Sequence, residues 1–201
     1  MTELILASAS PRRRQLMDLL GIPFVVKPSP IDEEALSLTG PPARQAMDSA
    51  VAKAVAAAAV DGDRWILAAD TVVFVDGAIL NKPTDRDDAR RMLRLLSGRS
   101  HIVTTGVYLY HDKKDSPPPL YEETEVWMTP LSDPVIEAYI DTGEPDDKAG
   151  AYGIQGYGGS LIPRVEGCYF NVMGLPLYRT ARLLEEAGIQ VIAAWGKAPY
   201  A

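Results

Sequence analysis

The sequence is poor in thiol and imidazole groups. It has one cysteine, Cys168, and two histidines, His101 and His111, in 201 residues. A single thiol excludes an internal disulfide framework and a cysteine-built zinc site. Two histidines ten positions apart exclude the His-Glu-x-x-His zinc pattern. Long apolar runs are also missing. None reaches the roughly 18–20 residues of a membrane-spanning helix, so no membrane association is expected. No basic stretch precedes the short apolar run near the start, so a signal peptide is not expected. A reducing, cytoplasmic setting follows as the default. Positive charge is in deficit, with 20 Lys+Arg against 27 Asp+Glu, a net −7. A non-specific nucleic-acid binder needs a basic footprint to displace counterions, so that class is not expected. A small anionic ligand is not excluded, because a few clustered cations can serve one pocket.

What is present suits a soluble globular protein, since 47% hydrophobic and 23% charged residues are ordinary values. The length fits a single domain over residues 1–201, or two lobes sharing a core. It buries roughly 70% of the unfolded surface and needs no staples.

Strand and helix signals mostly alternate. Leu4-Ile5-Leu6-Ala7 is a continuous apolar run, as in a buried strand. Ser10 then caps a helix with Pro11 at its first position. Leu16, Leu19 and Leu20 share a face of that helix, which Gly21 ends. Phe24–Val26 reads as a strand, 41–60 as an Ala-rich helix, and Trp65–Ala69 as a buried strand ending at Asp70. Val72–Val75 and Ala78–Leu80 form a hairpin about Asp76-Gly77. Thr84 caps a helix to Leu96. Strands follow near 102–110 and 121–129, joined by an exposed loop over 111–119. Ser132 caps a helix to Thr142, residues 143–159 are Gly-rich and irregular, Leu175–Ala187 is helical, and 189–193 is a short strand. The alternation implies an α/β fold with a mixed central sheet flanked by helices.

The first strand–turn–helix holds Ser8, Ser10, Arg12, Arg13 and Arg14. Free N–H groups and the dipole at a helix start favour an anion. Three arginines there oppose that dipole, which makes sense if a polyanion covers them. The alternative is a solvated basic turn with an ordinary cap. Neither a Walker A loop nor a dinucleotide glycine fingerprint is present; Gly156-Tyr157-Gly158-Gly159 fails the latter at its third glycine. Asp70, at the expected end of an apolar strand, is placed to hold a divalent cation or accept a proton from water, or to close a turn on its own backbone. Asp32-Glu33-Glu34 offers further oxygen ligands or an exposed acidic loop. Lys53 and Lys82 are isolated cations that either meet phosphate or reach out to water. Gln155, flanked by glycines, either reads a base edge or belongs to a flexible loop. Asp85, Asp87 and Asp88 suit a helix start, and Cys168 and both histidines suggest no catalytic pairing.

Taken in order, five segments resemble the Maf family of nucleoside triphosphate pyrophosphatases. They are Leu4-Ile5-Leu6-Ala7-Ser8-Ala9-Ser10-Pro11-Arg12-Arg13, Ala69-Asp70-Thr71-Val72-Val73, Leu80-Asn81-Lys82-Pro83, Leu96-Ser97-Gly98-Arg99-Ser100-His101 and Lys148-Ala149-Gly150-Ala151-Tyr152-Gly153-Ile154-Gln155-Gly156. The resemblance runs from residue 4 to about 185, with the 111–119 loop outside its pattern. It implies an α/β fold of two lobes with a deep cleft, related in shape to inosine triphosphate pyrophosphatases. It also implies hydrolysis of nucleoside triphosphates to monophosphate and pyrophosphate with Mg²⁺ or Mn²⁺. Carried over by position, Asp70 is the catalytic carboxylate, as the general base that deprotonates the water or as a ligand of the metal that does, with Glu33 as a further metal ligand. Ser8, Arg12, Arg13, Lys53 and Lys82 line the phosphate path, and Arg12, Thr71 and Gln155 bear on base choice. The 148–156 segment resembles the branch acting on dTTP and UTP, and family members commonly form homodimers. A competing expectation is a non-catalytic nucleotide-binding regulator of septum formation or cell division. Such a sensor needs the arginines but not Asp70.

Overall fold

The computed structural model describes residues 4–32 and 36–197. Its elements are β1 (Leu4–Leu6), α1 (Pro11–Asp18), β2 (Phe24–Val26), α2 (Pro42–Asp61), β3 (Trp65–Val75), β4 (Ala78–Leu80), α3 (Arg86–Leu96), β5 (Ser100–Tyr110), β6 (Leu120–Trp127), α4 (Asp133–Ile140), β7 (Arg164–Glu166), α5 (Tyr169–Met173) and α6 (Leu177–Glu186). Short 3₁₀ turns occupy Glu144–Asp147, Ala149–Ala151, Tyr157–Leu161 and Ile192–Lys197. The strands form one mixed sheet in the order β2-β1-β3-β5-β6-β7, with β4 on β3. β1 is parallel to both β2 and β3, while β3–β4 and β6–β7 are antiparallel.

Local signals explain the first helix and the hairpin. Ser10 accepts the Arg13 N–H, and Pro11 occupies the first turn of α1. Asp76 and Gly77 both adopt positive φ, 48° and 83°, as a two-residue hairpin turn requires. Four expectations are corrected. β3 does not end at Asp70: it runs on to Val75, with β5 as its neighbour in the sheet and β4 pairing Val73–Val75. α3 is capped by Asp85, whose carboxylate accepts from Asp88 N, and not by Thr84. The 189–193 strand is absent, and a 3₁₀ turn begins at Ile192. Leu19 is exposed; Leu16, Met17 and Leu20 form the buried face of α1.

The chain divides into two compact units. The first comprises Met1–Asp70, Thr105–Glu122 and Gly174–Ala201. Its core sets Ala54, Ala57 and Ala58 of α2 against Ile5, Ala7, Ile66 and Ala68. Leu4, Leu6 and Leu67 are buried on the other sheet face, so these strands are apolar throughout rather than alternating. Alanines let α2 approach the sheet closely. Gly106 of β5 completes that fit, because a Cβ there would lie 2.4 Å from the Ala46 carbonyl carbon and oxygen.

The second unit comprises Thr71–Thr104 and Glu123–Met173. Its core packs Ala89, Met92, Leu93 and Leu96 of α3 with Ile136, Tyr139 and Ile140 of α4 against Val73, Val75, Val103 and Val126. The spacing of these helical residues puts each set on one face.

Candidate functional site

The turn after β1 is pre-set by its own hydroxyls. Ser8 is buried, and its Oγ accepts from Ser10 N at 3.2 Å and from Arg13 Nη1 at 3.4 Å. Arg13 Nε donates to the Gly174 carbonyl at 2.8 Å. The guanidinium is thus held from two sides before any ligand arrives. Arg12 is half-buried on the same helix start, and Arg14 is exposed.

Parallel pairing places this turn beside Asp70. The β1–β3 register matches Leu6 with Leu67, and Ala7 N continues it to the Leu67 carbonyl. The segment from Ser8 onward therefore leaves β1 next to the stretch of β3 that follows Leu67. The site lies at the carboxyl end of β1, where parallel sheets gather ligands, while β3 itself continues past it.

Lys53 completes this group from α2. Its Nζ donates to Asp70 Oδ1 at 2.6 Å, with the lysine side chain only 4% exposed and the aspartate 18%. Lys53 therefore does not reach out to water. Of the predicted residues, Ser8, Arg12 and Arg13 follow the carboxyl end of β1, and Lys53 meets Asp70 within β3.

Thr71, Lys82 and Gln155 belong to the second unit. Thr71 is half-buried on β3, directly after Asp70, while Lys82 and Gln155 are exposed. The Lys82 turn and the Gln155 loop are tied together, because Gly150 N donates to the Asn81 carbonyl at 3.1 Å. Beside Gln155, residues Ile154, Ile162, Arg164 and Tyr169 help line an open cavity of about 310 Å³. The Arg164 guanidinium stacks 4.4 Å from the Trp127 ring centre.

The Gln155 loop is more ordered than its glycines imply. Tyr152, at its start, is buried, and its hydroxyl lies 2.6 Å from His101 Nε2. The two rings also meet edge to face. Burial lowers the His101 pKa from 6.5 to about 4 and pushes the Tyr152 phenol upward. His101 thus has a partner that its spacing did not reveal. Glu144 and Tyr139 also bind this loop through backbone N–H groups. No sequence signal marks them, because backbone donors carry no residue identity.

Two places bear on a divalent cation. Asp70 offers the carboxylate oxygen chemistry that Mg²⁺ and Mn²⁺ take, and a bound triphosphate would add its own oxygens. Glu33 lies outside the described residues. The other place is Asp63, His111 and Asp112, whose potential ligand atoms lie within 4.8 Å of one another. That cluster already holds competing donors. Lys113 Nζ is 3.2 Å from Asp63 Oδ2, and Lys113 N donates to His111 Nδ1 at 3.1 Å. His111 also packs on Trp65, at the far end of β3, roughly 17 Å along the strand from Asp70. Asp70 likewise already holds a donor, the Lys53 ammonium on Oδ1.

Comparison with known proteins decides the family. A family model described as "Maf-like protein" matches residues 3–187. The chain belongs to the Maf family. Among curated Maf relatives, the dTTP/UTP pyrophosphatase of Moorella thermoacetica is 47% identical, covering 98% of this chain and all of that one. The dTTP/UTP pyrophosphatase of Symbiobacterium thermophilum is 48% identical, covering 95% and 97%. Among solved structures, a HAM1 protein from Coxiella burnetii aligns with a TM-score of 0.53 at 18% identity, covering 92% of this chain and 100% of that one. The HAM1 likeness concerns the fold: a mixed sheet flanked by helices.

Proposed function

We propose that this Maf-family chain hydrolyses nucleoside triphosphates, with dTTP and UTP preferred, to the monophosphate and pyrophosphate. One observation carries the reading: a buried Lys53–Asp70 pair beside the Ser8–Arg13 turn, in a chain nearly half identical to proteins named for that activity. A triphosphate carries about four negative charges, and Arg12, Arg13, Lys53 and Lys82 are the cations that would answer them despite the net −7.

Asp70 orients a water molecule on the α-phosphorus and takes its proton. The water oxygen bonds to phosphorus as the bond to the α–β bridging oxygen breaks, and pyrophosphate leaves with that electron pair. Charge grows on the bridging oxygen, so cations fixed in advance stabilise the transition state. Ser8 and the Gly174 carbonyl keep Arg13 in place for this. A divalent cation would be held by Asp70 and would supply neutralisation of phosphate charge there. Gln155 reads the O4/N3 edge of thymine or uracil through its amide, and Arg12 and Thr71 assist base choice.

The setting that fits is the reducing cytoplasm, with small nucleotides and not nucleic acid or membrane as partners, and with the protein as a homodimer. Light scattering on the purified protein tests the dimer. The activity is tested by incubating dTTP and Mg²⁺ with the protein in ¹⁸O-water. The expected products are labelled dTMP and unlabelled pyrophosphate. Formation of dTDP and phosphate, or label in pyrophosphate, overturns the reading.

A further inference from the structure

The loop that carries Gln155 is wrapped around one carboxylate. Glu144 Oε2 accepts from Tyr157 N at 2.7 Å, and Oε1 accepts from Gly158 N at 3.0 Å and from the Tyr139 hydroxyl at 2.8 Å. That hydroxyl in turn accepts from Gly153 N at 3.0 Å. Backbone donors on both sides of Gln155 are therefore held by one two-residue unit, Glu144 and Tyr139. Burial works against the Glu144 charge. The donors from Gly158, Tyr139 and Tyr157 outweigh it and hold the carboxyl below its ordinary range.

The glycines serve this contact. A Cβ at Gly156 would lie 2.0 Å from Glu144 Oε2, and one at Gly158 would lie 2.6 Å from the Tyr139 hydroxyl. Gly156 has φ −109° and ψ −141°, and the absence of a side chain there leaves the carboxylate its space. Close approach of the backbone to the carboxylate is what the absent side chains permit. Gln155 itself points out of this cradle as an exposed residue.

We infer that Glu144, bridged by Tyr139, is a positioning residue for base selection: its carboxylate fixes the Gly153–Gly158 backbone so that the Gln155 amide meets the base in one place. This rests on the reading of Gln155 as the base-recognising residue. A fixed amide distinguishes base edges, whereas an amide on a loose loop adapts to several. The Glu144 charge is required because a carboxylate accepts on both oxygens. A glutamine would turn an N–H₂ group toward one of the loop's own N–H donors.

The test measures kcat and KM for dTTP and for the other deoxynucleoside triphosphates in Glu144→Gln, Tyr139→Phe, Gln155→Ala and the Glu144→Gln/Gln155→Ala double variant. Tyr139→Phe keeps the buried ring and removes only the bridging hydroxyl, so it reads the same link if Glu144→Gln folds poorly. The expected result is a fall of about tenfold in the preference for dTTP in Glu144→Gln, and a smaller fall in Tyr139→Phe. KM for dTTP should rise while kcat holds, because base binding is shared by ground and transition states. The double variant should select no worse than Gln155→Ala alone, since Glu144 acts through Gln155. Unchanged selectivity in Glu144→Gln and Tyr139→Phe, with Gln155→Ala impaired, overturns this inference and leaves the base reading standing. A uniform loss of kcat across all substrates overturns it too, as the mark of a merely structural role. Unchanged selectivity in Gln155→Ala removes the base reading and this inference with it.

Discussion

The Lys53 ammonium donates to Asp70 Oδ1 across 2.6 Å, from a helix to the interior of a strand, with both side chains largely out of water. Each charge is what makes the other tolerable there. Removing one leaves its partner poorly solvated.

Asp70→Asn keeps an acceptor for Lys53 but loses the charge and the base. Turnover should fall by ~10²–10⁴-fold, with a modest drop in Tm and an unchanged circular dichroism spectrum. Pyrophosphate release at the wild-type rate from the folded variant would remove Asp70 from the chemistry.

Lys82 sits exposed on the turn tied to Gly150. Lys82→Ala should weaken use of every triphosphate while leaving the ranking of bases intact. Steady-state constants across a nucleotide panel check this, and a changed ranking with unchanged affinity would contradict its phosphate role.

His101 gives the fold a pH dependence of known sign. The folded state keeps it neutral down to about pH 4, while the unfolded chain protonates near 6.5. Between those values the unfolded state binds more protons, so stability falls as pH drops through the window. The slope is about 1.4 kcal/mol per pH unit, for a loss of about 3 kcal/mol by pH 4. Glu144 behaves differently: its stabilising effect is complete above its ordinary value of 4.5 and is lost only as pH falls below it. Urea midpoints at pH 7, 6 and 5 for the wild type and His101→Gln measure the difference, which should shrink on acidification. A constant difference would show that His101 does not titrate in that range.

Gly106→Ala should destabilise severely. The added methyl group would meet the backbone of α2 at Ala46 and Met47, within 2.4–2.5 Å, and a helix backbone yields only by moving as a unit. Overpacking of this kind costs about 3 kcal/mol, or roughly 6–12 °C in Tm for a chain of this size. Differential scanning calorimetry reads it directly.

The Asp63–His111–Asp112 cluster should have no part in turnover. Asp112→Asn is expected to leave the Mg²⁺ dependence of dTTP hydrolysis unchanged in a metal titration after chelation. A shifted metal requirement would move the metal away from Asp70.

What the sequence discloses depends on how local the physics is. The cap at Ser10 and the Asp76-Gly77 turn are legible because neighbouring residues alone determine them. The grouping of Ser8, Arg13, Lys53 and Asp70 is legible only by resemblance, since parallel pairing and the reach of α2 are what unite them. The continuation of β3 through Asp70 is hidden, because a polar Asp-Thr step between two apolar runs looks like a break between two strands. Glu144 is hidden more deeply. Its backbone partners lie 13 and 14 positions downstream, and any residue at those positions could donate.

That Asp70 stands within an eleven-residue strand has an evolutionary corollary. Insertions accumulate in surface connections, and a strand interior is shielded from them. The 148–159 segment, built of short turns outside the sheet, is open to such change where Asp70 is not.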